Sequence, residues 1–295
     1  MKKISKILLI IVILFVTLGM LLPIFNLHAQ ESLLKEVVGS VDDLINIKDN
    51  SSLSDEERLS QEIEARKSAL LKIVDLSLNE IENLGDKLKS LSLTGEKATA
   101  LKDQFLAILG QNEQYSGQLK ESLSSDKAFS LDEIKQVAKD FKDWRETYYN
   151  ENVRKILSFV IVFQEKSILK TADARLEKII SDLRKLESAK LIKREDSWNY
   201  LNSAIKNLAN ANLLNNKAEI LLMSTLEDMI NASTSTEVFL NDPLNNKKAT
   251  STEIKTENKN YDSIKSMVEK SMNEIKNAYK NFVDISNKIR KKLGY

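Results

Sequence analysis

Apolar residues recur at steps of three and four along most of this chain, the spacing that lines one face of an α-helix. The most regular seam is Tyr261, Ile264, Val268, Ser271, Ile275, Ala278, Phe282, Ile285 and Ile289. Strict 3-4 alternation over about four heptads is a coiled-coil signature rather than a merely amphipathic one. A second seam reads Leu201, Ala204, Leu208, Ala211, Asn215, Ala218, Leu222, Thr225 and Met229, with alanines that permit close helix approach. A third reads Leu169, Ala172, Leu176, Ile179, Leu183 and Leu186. It is preceded by Ile134, Val137, Phe141, Trp144, Tyr148, Val153, Ile156, Val160 and Phe163. Residues 130–192 therefore predict a long helix, either continuous or bent near Asn150. Unbroken, a run of about 60 residues would extend about 90 Å, which suggests an elongated rod.

Upstream, a first helix is predicted from Glu31 to Lys48, with Leu34, Val37, Val41 and Leu44 on one face. A second carries Leu70, Val74, Leu78, Ile81, Leu84, Leu88 and Leu91 and ends at Leu93-Thr94-Gly95. A third carries Ala98, Leu101, Phe105, Ile108, Tyr115 and Leu119 and is weakened near Gly110 and Gly117. Ser54 with Glu57, and Ser130 with Glu133, have the spacing of capping boxes. Lys193 to Asp196 reads as a turn, with Asp196 or Ser197 as the next N-cap. Thr250 and Glu253 are placed to cap the last helix.

The predicted fold class is all-α: an elongated antiparallel bundle of helical hairpins with coiled-coil-like packing, plus an N-terminal hydrophobic signal or anchor helix. The expected divisions are residues 1–29 (signal or anchor), 30–128 (N-terminal helices), 129–230 (long hairpin), 231–253 (polar linker) and 254–295 (final helix on the bundle).

The first thirty residues break the amphipathic pattern. Lys2, Lys3 and Lys6 precede an apolar run from Ile7 to Leu22, then Pro23, then Leu27-His28-Ala29-Gln30. That is the layout of an export signal, with cleavage expected between Ala29 and Gln30. The run also borders on the length of an uncleaved membrane anchor. Either outcome leaves the rest of the chain on the outer side, so the expected location is extracytoplasmic, secreted or membrane-anchored.

Composition narrows the class. Beyond Ala29 there is one proline, Pro243, and six glycines, too few turn residues for a sheet protein. Charged residues make up 29% of the chain and its formal net charge is +1, so nothing in the balance predicts nucleic-acid binding. The distribution is uneven. Residues 31–65 hold ten acids and three bases, whereas residues 247–295 hold twelve bases and six acids.

Candidate chemistry is sparse. The only histidine, His28, precedes the expected cut, and cysteine is absent. A Ser-His-Asp triad, a cysteine nucleophile or an ordinary zinc site cannot be built from the remainder. Glu62, Glu64 and Asp55-Glu56-Glu57 read as a solvated face or a helix first turn. No glycine-rich phosphate loop or calcium loop appears, so neither a cofactor nor enzyme activity is expected.

Phe141, Trp144, Tyr148 and Tyr149, with Trp198, are the most concentrated aromatic run; Phe141, Trp144 and Tyr148 share a helical stripe, with Arg145 beside it. They read either as bundle core or as a grip for a partner or ligand. Asn215 falls on a seam, where a buried asparagine can fix register, although the neighbouring Asn207, Asn210, Asn212 and Asn216 also suggest a compositional bias. Lys288, Arg290, Lys291 and Lys292 suit a helix C-terminus, or contact with an anionic envelope surface.

The segment Thr171-Ala172-Asp173-Ala174-Arg175-Leu176-Glu177-Lys178-Ile179 through Leu186-Glu187, followed by an Ala/Asn/Leu-rich helix, resembles uncharacterised exported helical proteins of small-genome bacteria. The resemblance covers about sixty residues and implies no activity. The leading functional expectation is a non-enzymatic scaffold, spacer or assembly subunit of the cell envelope, with the membrane contacted through the N-terminal segment and a protein partner or second copy. An extracytoplasmic sensory or ligand-binding bundle is the alternative, and a carboxylate-only glycan hydrolase a distant one. A small-molecule ligand is not favoured.

Overall fold

The computed structural model describes residues 38–39, 44–47, 53–126, 128–233 and 251–294. The expected signal segment with its Ala29–Gln30 cut, most of the predicted first helix, the linker around Pro243, and Thr250 lie outside these residues. The described regular structure is entirely helical, as the 3-4 spacing predicts. Among the described residues from 53 onward, seven α-helices follow in order: α1 Asp55–Ser90, α2 Glu96–Ser124, α3 Leu131–Trp144, α4 Asn150–Ser188, α5 Trp198–Thr225, α6 Glu227–Ser233 and α7 Ser251–Leu293. A π-helical turn, Arg145–Tyr149, joins α3 to α4, and a 3-10 turn, Arg194–Asp196, precedes α5. Among the described residues, no helix is long and apolar enough to cross a membrane.

Both expected capping boxes form. The Ser54 amide donates to the Glu57 carboxylate at 3.0 Å and the Glu57 amide to Ser54 Oγ at 3.3 Å. Ser130 and Glu133 repeat the pattern at 2.8 and 3.3 Å, so two orphan amides are bound at each helix start. Ser197 occupies the N-cap of α5, but its hydroxyl makes no capping bond. Gly110 and Gly117 do not interrupt α2, because flanking residues bury Ile108, Leu109 and Ser116 and hold the helix through them.

The chain forms two compact units. The first comprises Met1–Lys87 and Leu106–Glu151. Its core is built from Leu70, Val74, Ile81 and Leu84 of α1, Ile108 and Leu123 of α2, and Ile134 and Phe141 of α3. Lys120 Nζ of α2 pairs with Asp75 Oδ1 of α1 at 2.7 Å.

The second comprises Leu88–Phe105 and Asn152–Tyr295. Lys102 Nζ closes the C-terminal end of α1 by donating to the carbonyls of Lys89 and Leu91 at 3.0 and 2.9 Å. Helices α4, α5 and α7 pack around one layer of Leu169, Ala172, Ala204, Leu208, Ala211, Ile275, Ala278 and Phe282. The four alanines of that layer are fully buried, and their small side chains let the helix backbones approach closely. Asp173 meets Asn212, and Thr225 meets Asn260, while Leu183, Leu201 and Ile285 share a second cluster. Helix α5 is therefore antiparallel to both α4 and α7. All nine seam residues of α7 are buried. On α5, seven of the nine are buried from Leu201 to Leu222. Thr225 and Met229 are only half-buried, because the helix stops at Thr225 and the turn residue Leu226 fills the core instead.

Helix α4 ends in a Schellman motif. The Leu191 amide donates to the Leu186 carbonyl at 3.0 Å and the Lys190 amide to Glu187 at 2.9 Å. Lys190 takes φ 58, a left-handed conformation usually left to glycine because a Cβ is strained there. Lys190 is exposed, so its side chain contributes little packing. Lys190→Gly is expected to stabilise the protein by about 0.5–1 kcal/mol, relief of strain outweighing the added freedom of the unfolded chain. Urea unfolding measures this; a loss of stability would contradict the motif.

Candidate functional site

The aromatic patch singled out in the sequence lies at the π-helical turn of the first unit. Here the Asn150 amide donates to the Arg145 carbonyl, five residues back, instead of four. The extra residue advances the phase of the helix by one position. In a plain α-helix Tyr148 would follow Trp144 on the inner face. Across the π turn it is Tyr149 that is fully buried, while Tyr148 is half-buried. Phe141, Trp144 and Arg145 are buried as well.

The rings fill their own space. Trp144 lies 4.5 Å from Tyr115, 5.4 Å from Phe141 and 5.2 Å from Tyr149, centroid to centroid. Phe141, Trp144 and Tyr149 are thus packed core.

Arg145 gives this core its polarity. Its Nη2 donates to Glu80 Oε2 of α1 at 3.1 Å, and its Nη1 donates to Ser77 Oγ. Ser77 passes its own proton to the Ile73 carbonyl at 3.0 Å. The Tyr149 hydroxyl donates to the same Glu80 oxygen at 3.1 Å, and the guanidinium sits 4.9 Å from the Tyr149 ring centroid. Burial, reinforced by the Glu80 carboxylate, pushes the Tyr149 phenol well above its usual range and keeps it a neutral donor. Chemically, the arrangement holds a cation, an anion and two hydroxyls in fixed mutual contact. It pins α1 to the turn between α3 and α4.

A second polar layer lies inside the other unit; the sequence seams include two of its members, Asn215 and Ser271, but not Glu165. Asn215 of α5 is buried and donates to the Val162 carbonyl at 3.1 Å and to Glu165 Oε2 at 2.9 Å. Ser271 of α7 is buried beside the Glu165 carboxyl and donates to the Ala211 carbonyl at 2.9 Å. Glu165 Oε1 has no hydrogen-bond donor. Burial raises the Glu165 pKa, opposed by the bonds from Ser271 and Asn215. The register role considered for Asn215 has a physical basis here: a slip would leave three buried polar groups unpaired.

The basic end predicted in the sequence is exposed. Lys288, Arg290, Lys291 and Lys292 project from the last turns of α7, and Lys288 Nζ stands 5.6 Å from the Tyr200 ring centroid. Among the described residues, no group of three or more acidic or imidazole ligands is arranged to hold a metal ion.

Fold and site together define an all-helical protein whose bundle interiors are pinned by buried polar clusters. No protein-family model, curated protein or solved structure matches the chain.

Two outcomes follow from these clusters. Arg145→Met alone leaves the Glu80 carboxylate buried without its cation and is expected to cost about 3–5 kcal/mol, most of which the double change with Glu80→Leu recovers. Chemical denaturation of the four-member cycle measures the coupling, and single variants within experimental error of the wild type would refute it. For Glu165, a raised folded-state pKa means the folded protein binds its proton more tightly than the unfolded chain. Its contribution is favourable at acid pH and is lost as pH rises through the raised value. Glu165→Gln should therefore be the more stable protein at pH 7, with the gap closing as pH falls into the ordinary carboxylate range. A pH-independent gap would count against a raised Glu165 pKa.

Proposed function

We propose that this chain is an exported or membrane-tethered helical protein that acts through its surfaces, as a scaffold, spacer or assembly subunit of the cell envelope. The outer face of α5 carries this reading. Ile205, Leu213 and Ile220 stand exposed there, the last at 70%, and steps of eight and seven residues keep them within a sector of about 80°. They lie apart from the buried seam of the same helix. That helix holds only Lys206, Lys217 and Glu219 as charged residues in a chain that is 29% charged. Exposed branched apolar side chains sharing one face of a helix with few charges are a surface that a partner can cover.

Export is supported by the order of the first thirty residues: bases, apolar run, proline and small residue. The ligand-binding alternative needs Phe141, Trp144 and Tyr148 around an open space, and the stacking of Trp144 among neighbouring rings favours packing instead.

A reporter enzyme active only outside the cytoplasm, fused after Leu293, is expected to be active and to lose activity when residues 2–22 are deleted. Intact-mass measurement then separates cleavage after Ala29 from retention. Ile205→Ser, Leu213→Ser and Ile220→Ser combined should lower the sedimentation-derived association of the protein with itself or its helical partner at unchanged helix content. An inactive reporter sinks the export half of the reading, and unchanged association sinks the interface half.

A further inference from the structure

The second unit brings together two stretches that the sequence separates by about ninety residues: the turn between α4 and α5, and the end of α7. The joining cluster is Leu183, Ile192 and Leu201 with Ile285 and Ile289, and Tyr200 and Leu293 pack against it. At this end of the three-helix bundle, Leu191 is 52% exposed and Trp198 39% exposed. The Arg194 guanidinium lies 3.9 Å from the Trp198 ring centroid. Residues 285–294 supply Lys288, Arg290, Lys291 and Lys292 and no acid, while residues 189–197 add three bases against two acids.

We infer that this end of the bundle binds an anionic phospholipid surface, with Trp198 and Leu191 entering the headgroup boundary and the α7 bases meeting lipid phosphates. Four observations point to lipid rather than to a protein or a soluble anion. Arg194 stacks on the exposed Trp198 at the tip of a hairpin, and the basic end of α7 reaches the same tip, which together give the side-chain combination of an interfacial anchor. Tryptophan prefers the membrane–water boundary because its indole is apolar with one polar edge. Long basic side chains can extend their charges toward phosphates while their stems rest on apolar surface. The four α7 bases lie on consecutive turns at a helix C-terminus, where the dipole disfavours bound anions. A small anion would thus be held poorly, whereas a charged plane interacts with every base at once.

This inference stands apart from the N-terminal segment, and its test separates the two. The full-length protein is mixed with vesicles of phosphatidylcholine alone, or of phosphatidylcholine and phosphatidylglycerol, each with brominated acyl chains. The chain has two tryptophans, and Trp144 is buried, so the emission difference between the wild type and Trp198→Phe reports Trp198. That component should fall severalfold in anionic vesicles, stay unchanged in neutral ones, and recover as salt screens the attraction.

Lys288→Glu, Arg290→Glu and Lys291→Glu combined should abolish the quenching while circular dichroism stays helical. If that variant unfolds, the three glutamine substitutions take its place. Vesicle binding through the N-terminal segment alone would carry the protein onto neutral vesicles with Trp198 unquenched. Equal Trp198 emission in both vesicle types overturns the inference, as does co-sedimentation with an anionic wall polymer without any quenching by lipid.

Discussion

A guanidinium buried in a helical core is the constraint on which the first unit depends. Arg145 cannot lose its charge, so its removal from water has to be offset by an anion and by acceptors for its remaining protons. Glu80 and Ser77 supply them from one face of α1, three residues apart and so side by side on a helix. This fixes both the axial register of α1 against the turn after α3 and the rotation of α1 about its own axis. The π turn is part of the same solution. It advances Tyr149 by one position, so that its hydroxyl reaches the Glu80 oxygen already held by Arg145 and its ring stacks on Trp144.

The second unit meets the same requirement with weaker groups. An alanine-rich layer brings α4, α5 and α7 close, but alanines pack almost equally well one heptad out of register. The Glu165, Asn215 and Ser271 layer does not, because each group's partner comes from another helix. Specificity therefore comes from polar groups, and most of the burial energy from the leucines and isoleucines around them, at about 1.5–3 kcal/mol for each fully buried side chain. The Lys166–Glu219 pair, 2.7 Å apart and one residue beyond Glu165, repeats the α4–α5 register where solvent can reach it. Being partly exposed, it contributes little stability.

How far the chain could be read in advance follows from this division. Seams are periodic and local, so every position assigned to α7 is buried, and α5 departs only where its helix stops. The π turn also left a trace. The predicted seam steps from Tyr148 to Val153, five residues where three or four were due. Dividing that interval at Tyr149 gives a step of five from Trp144 and then one of four. Adjacent tyrosines hid the choice, because either fits an apolar stripe. Arg145 and Glu165 were not legible as core. A charged residue beside a seam ordinarily reads as solvated, and their partners lie 50 to 106 residues away in sequence. Only tertiary packing brings such groups together, and no periodicity encodes it.

Perturbed titration is often taken as the mark of a reactive site, but the direction of the perturbation matters here. Tyr149 and Tyr115 are pushed up chiefly by burial and stay neutral phenols, and burial pushes the Glu165 carboxyl up as well. A phenol with a raised pKa that donates to a carboxylate stays a neutral hydrogen-bond donor at neutral pH. What the second unit offers to solvent is of another kind: a stripe of isoleucine and leucine on α5, and a tip of bases around Trp198. Each is a surface whose free energy changes when something covers it. The polar groups inside hold the helices in one register, and that register keeps the exposed residues of α5 and α7 at fixed positions on the second unit.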